Sequence, residues 1–146
     1  MIFLGIDNLT GLHNIDILGI QEHRIVHKEP VKFENIQGQT LITTSATRNI
    51  AGASIGGVGR VLSANTKASL AGVVPHTERI LVANFQGNPA TTVIVTYCPT
   101  NVEDEDKIED DYDNLRRAID SINQCHDGYR RFQWQNWTRG CKVHLS

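Results

Sequence analysis

The stretch DILGIQEHR, Asp16 to Arg24, decides how this chain is read. With Ile15 before it, Ile17, Leu18 and Ile20 form a short apolar run of the kind that makes a buried β-strand. The run then stops on Gln21, Glu22, His23 and Arg24 in succession. A core strand that ends in a carboxylate, an imidazole and a guanidinium places charged chemistry at the tip of a rigid element.

Working outward, the chain has 146 residues, enough for one domain. Hydrophobic residues make up 40% and charged residues 21%, the balance of a soluble globular protein. A net charge of −2 does not by itself announce a nucleic-acid binder. The charge is unevenly spread: residues 124–146 carry Arg130, Arg131, Arg139 and Lys142 against Asp127, which leaves −5 on the first 123 residues. The cysteines, Cys98, Cys125 and Cys141, have no zinc-site spacing, and their odd number speaks against a disulfide framework. Met1 to Ile6 is apolar but too short for a signal peptide, and no run is long enough to span a membrane. The sequons at Asn8 and Asn136 are therefore read as chance, and an intracellular protein of the nucleus or cytoplasm with reduced thiols is expected.

After the first strand, HKEPVKFENIQGQ reads as a polar connection and TLITTSA, Thr40 to Ala46, as a strand. IGGVGRVLSAN, Ile55 to Asn65, is apolar with three glycines, which signals a bulge or the close approach of another backbone or a ligand. It fits neither glycine-rich phosphate fingerprint. KASLAGVVPH is strand or loop. ERILVANFQ and ATTVIVTYCPTN are strands joined by the turn at Gly87 to Pro89, a hairpin. A helix is predicted from about Asn101, capped by Thr100 or Asn101, with Ile108, Leu115, Ile119 and Ile122 as its buried stripe. Its eight acids between Glu103 and Asp113 run around all sides, which suits capping, the helix dipole and solvation better than a metal site. Antiparallel-rich strands with a helix on the outer face make an α+β layer arrangement.

DILGIQEHR, GGVGRVLSA, ERILVANF and VIVTYCPTN, in this order and followed by EDEDKIEDDYDNL, resemble the endonuclease/exonuclease/phosphatase family. The resemblance is to its retrotransposon-type branch, which includes craniofacial-development-protein-like chains, and it covers residues 14–122. It implies a four-layer α-β-β-α sandwich, Mg²⁺-dependent phosphodiester hydrolysis and DNA as partner, with no small-molecule cofactor. The chemistry is coherent, because a phosphodiester needs a metal to neutralise charge and activate water, and Mg²⁺ takes one or two carboxylates and several waters. By position, Glu22 after Gln21 matches the family's metal-binding glutamate. Tyr97 matches the Y-x-P tyrosine that reaches the scissile phosphate, and Asn101 is a further catalytic candidate, although Thr100 fills the slot after Pro99. His23 is read as an exposed strand-end histidine and Arg24 as a solvated basic residue.

Residues 1–13 do not match the family's first strand, and neither its GDFN motif nor its SDH-like segment occurs. The tail NQCHDGYRRFQWQNWTRGCKVHLS, residues 123–146, begins where the GDFN strand is due. Back-translated with permitted codons and read one nucleotide later, it can give TNVMMVIGDFNGRIGPEDAKFT. Trp134 and Trp137, which have single codons, then force glycine at both places. The expectation is the N-terminal half of the sandwich followed by a frameshifted, disordered tail, even though the tail's interleaved arginines and aromatics look like a single-strand-binding patch by composition. Three functions compete: a retained nuclease, an inactive truncated product, and an interaction module using the acidic helix or an open sheet. Because catalytic groups act as a unit, loss of the partner groups predicts activity near background.

Overall fold

A computed structural model describes residues 15–97, 105–124 and 130–135. The strands are β1 (Ile17–Gln21), β2 (Val31–Ile36), β3 (Gln39–Thr44), β4 (Thr47–Arg48), β5 (Ser54–Ile55), β6 (Val58–Leu62), β7 (Leu70–Thr77), β8 (Ile80–Phe85), β9 (Ala90–Thr96) and β10 (Arg130–Gln135). The helices are α1 (Ala64–Ala68) and α2 (Glu105–Gln124). One four-stranded sheet runs β1-β6-β3-β2, a second runs β10-β9-β8-β7, and β4 with β5 makes a small ribbon.

The stretch expected as a polar connection supplies β2. Its strand character comes from pairing: the loop Gln37-Gly38 has φ of 51° and 84°, and Ile36 lies opposite Gln39. Two positive φ values in a two-residue loop match the twist of an antiparallel pair and fix its register. The hairpin β8–β9 forms as predicted, with Ile80 opposite Thr96. The ambiguous stretch before it resolves into β7, an edge strand in which Pro75 blunts the open side.

Alternation along the strands builds the layers. Ile42, Val58 and Leu62 of the first sheet meet Leu81, Ala83, Phe85, Val93 and Val95 of the second. The residues between them, Ile80, Val82 and Ile94, face Leu115, Ala118 and Ile122 of α2. The predicted stripe is thus buried at Leu115 and Ile122 and partly buried at Ile119 and Ile108, with Ala118 added. The outer face of the first sheet is apolar too: Leu41 and Val61 are buried beside Leu18, Ile20 and Ile36. β1 is only half-buried along its length, not fully buried as its composition suggests; among the described strands it pairs with β6 alone. Asp16 anchors its start: the carboxylate accepts from Ser63 Oγ at 2.8 Å, and Ser63 caps α1.

The tail expected to be disordered contributes β10, which pairs in parallel with β9 from Arg130 opposite Ala90 to Gln135 opposite Val95. Arg-Arg-Phe-Gln-Trp-Gln alternates at the strand period, and an unpaired edge of β9 offers a full row of donors and acceptors to any such segment. The predicted segment 1–13 and residues 125–129 and 136–146 of the predicted tail 123–146 fall outside the described residues. Among the described residues no helix is long and apolar enough to cross a membrane.

Arg60 breaks the apolar pattern from within. It lies between Val58 and Leu62 on the inner side of β6 and is fully buried. Its Nη1 donates to the Val93 carbonyl at 3.1 Å and its Nη2 to the Leu81 carbonyl at 2.5 Å, so one side chain joins both sheets. Burial pushes the guanidinium pKa down to about 9, which leaves it charged at neutral pH. A buried cation costs desolvation that two carbonyl bonds only partly offset. Arg60→Ala, which leaves a cavity and two deprived carbonyls, is expected to lose about 3 kcal/mol in urea unfolding. Arg60→Met, which fills the volume without the charge, is expected to lose clearly less. A chain ending at Gln124 is expected to unfold at lower urea and to aggregate sooner, read by light scattering, because the β9 edge is exposed.

Candidate active site at the strand ends

β1 ends at Gln21, and the backbone then reverses hand at alternate residues. Glu22 and Arg24 have φ of 51° and 59°, in the left-handed region that costs a residue with a Cβ. The excursion is held by the partner strand: His23 N–H donates to the Gly57 carbonyl at 3.2 Å and Arg24 N–H to the Gly56 carbonyl at 3.1 Å. Glu22 and Arg24 project to solvent, with their charged groups 3.9 Å apart. Arg24 is solvated, as its sequence context implies.

His23 turns the other way, and the expectation of an exposed histidine is corrected. It is only 5% exposed. The cause is Gly57, where a Cβ would stand 2.5 Å from His23 Cε1. The glycine run in IGGVG therefore marks a close approach, and the visitor is an imidazole. Gly59 marks another, since a Cβ there would stand 2.8 Å from the Ile42 carbonyl oxygen. His23 Nδ1 accepts from the Ile25 N–H at 3.0 Å, which assigns the proton of the neutral ring to Nε2. Nε2 is buried with no partner among the described residues. Burial lowers the His23 pKa below 6.5; the backbone at Val58 opposes this and the nearby His27 adds to it.

Tyr97 follows β9 at the same end of the sandwich. Gln21 Nε2 donates to the Thr96 carbonyl at 2.5 Å, so the residues immediately before Glu22 and Tyr97 are bonded across the two sheets. Tyr97 is half-buried against the inter-sheet core. Its N–H donates to the Arg79 carbonyl at 3.0 Å, and Arg79 Cζ sits 5.7 Å from its ring centroid. Arg79 is itself buried and meets Asp111 of α2, with Nη1 and Oδ2 2.7 Å apart. Solvation therefore does not describe Asp111, though it does describe the exposed Asp106, Glu109 and Asp110. The cavity among Arg79, Ile80, Thr96, Tyr97, Asp111, Tyr112 and Leu115 is about 10 Å³, water-sized at most. Asn101 lies outside the described residues.

The donor set does not by itself make a resident Mg²⁺ site. Among the described residues no three His, Cys, Asp or Glu side chains gather to a metal-sized group. Glu22 offers one carboxylate, and a cation approaching it competes with Arg24. A larger open cleft of about 250 Å³, lined by Thr44, Ser45, His76, Thr77 and Glu78 between Pro30 and Pro75, assembles no recognisable reactive set.

Sequence reasoning singled out Glu22 and Tyr97, which the structure brings to one end of the two sheets, and did not single out Asp111 or the buried His23 and Arg79. Paired glycines opposite the first strand were the available signal for His23. Nothing local distinguished Asp111 from the acids around it. Compared with known proteins, the chain matches no protein-family model, no curated protein and no solved structure.

The buried neutral imidazole gives the fold a pH dependence. Below pH 6.5 the unfolded chain binds a proton that folded His23 resists, so stability is full above 6.5 and falls as pH drops through the lowered folded value. Urea midpoints between neutral and mildly acid pH should show this slope in the native protein and a flatter one in His23→Gln. Gly57→Ala, with φ of 83° and an imidazole in the way, is expected to cost about 2–4 kcal/mol at neutral pH.

Proposed function

We propose that residues 14–122 are part of an endonuclease/exonuclease/phosphatase-type domain of the retrotransposon kind, a four-layer sandwich whose ancestral task is hydrolysis of DNA phosphodiesters. The observation that carries this reading is the Gln21–Thr96 bond, which gathers Glu22 and Tyr97 at one end of two facing sheets. Two further features support it. α2 covers the outer face of the second sheet, and the first sheet is apolar on both faces, as an inner layer requires.

In this reading Glu22 is the carboxylate that a Mg²⁺ ion would use, and that ion would supply charge neutralisation and an activated water. The Tyr97 hydroxyl donates to a phosphate oxygen. The groups that the family places on GDFN and on the SDH-like segment do not occur in residues 1–146, so this chain alone is not expected to turn over.

Two experiments test the reading. Plasmid nicking with Mg²⁺ is expected to stay at background, equally for the native chain and Glu22→Ala. Nicking that disappears in Glu22→Ala would instead make the chain a working nuclease. The coding DNA around codon 123 is expected to hold an apolar strand and Gly-Asp-Phe-Asn in the frame one nucleotide later; a frame without them removes the frameshift.

A further inference from the structure

We propose that Asp111, acting through Arg79, is a positioning residue for Tyr97: the helix carboxylate holds the guanidinium, and the guanidinium holds the ring at the end of β9. The inference rests on the reading of Tyr97 as the group that meets a phosphodiester.

Three contacts form a chain. Asp111 Oδ2 lies 2.7 Å from Arg79 Nη1, with both side chains largely withdrawn from water. The guanidinium carbon lies 5.7 Å from the Tyr97 ring centroid, within the range of a cation–π contact. The Arg79 carbonyl accepts the Tyr97 N–H at 3.0 Å, so one residue fixes both the main chain and the ring of Tyr97. Adhesion of helix to sheet does not account for the ion pair. Leu115, Ala118 and Ile122 already pack on Ile80, Val82 and Ile94, and a withdrawn ion pair adds little net stability over apolar contact. Its placement against Tyr97 is what distinguishes it. With only about 10 Å³ free among these side chains, the ring has little room to turn. A held guanidinium also favours the phenolate form, which makes the hydroxyl a stronger donor to an anionic oxygen.

The test is the ionisation of the Tyr97 phenol, followed by NMR in protein carrying ¹³Cζ-tyrosine and assigned with Tyr97→Phe. Arg79→Met should weaken the acid about three- to tenfold. Asp111→Asn, which releases the guanidinium from its place, should weaken it as well, by a smaller factor. Arg79→Lys should restore part of the native value. If Asp111→Asn leaves the phenol unchanged or strengthens it, the guanidinium keeps its place without the carboxylate, the proposal is overturned and the ion pair only ties helix to sheet; an unchanged phenol in Arg79→Met overturns it too. Should Arg79→Met fail to fold by circular dichroism, an unchanged phenol in Asp111→Asn overturns it alone. The titration needs no turnover, so its failure is separate from failure of the nuclease reading, which nicking and the coding DNA decide.

Discussion

The fold depends on a single strand buried along its whole length. β6 lies between β1 and β3, and all five of its residues are buried. Its inner side carries Val58, Arg60 and Leu62 toward the second sheet, where the Arg60 guanidinium takes carbonyls from β8 and β9. A guanidinium withdrawn from water must find acceptors. That requirement restricts how the two sheets can slide past each other more tightly than apolar packing, which is non-directional.

The same strand sets the geometry of the site. The residue before it, Gly57, has no Cβ, and that opens the slot His23 fills. Once His23 turns inward, Glu22 and Arg24 must turn outward, and their left-handed backbone is the local cost. The Gln21 amide then fastens this rim to Thr96, and Arg79 fastens Tyr97 to the helix. Each candidate group is thus placed by a neighbour on another element. Such an arrangement is rigid, and it depends on the core behind it being complete.

Much of the layer plan was legible in the chain. The β8–β9 hairpin is spelled by two apolar strands around Gly87 to Pro89, and the face of α2 by Leu115, Ile119 and Ile122 at helical spacing. β2 was not legible, because Lys32, Glu34 and Asn35 give it the composition of a loop. It is a strand only because the Gln37-Gly38 turn returns it to β3. Nor was β10, whose residues read as a disordered tail until the open edge of β9 is in view.

Sequence by itself therefore determined which segments are apolar, where the chain turns, and that Glu22 and Tyr97 each end a strand. Periodicity and turn chemistry are local, and they can be read without knowing what lies opposite. Only the tertiary structure decided that His23 is buried and Glu22 exposed, that Arg60 is an inner cross-link, and that Asp111 turns toward Arg79. Those outcomes depend on what stands across a sheet or between layers, and residues far apart in the chain supply it: Gly57 for His23, Val93 for Arg60, and Asp111 for Arg79.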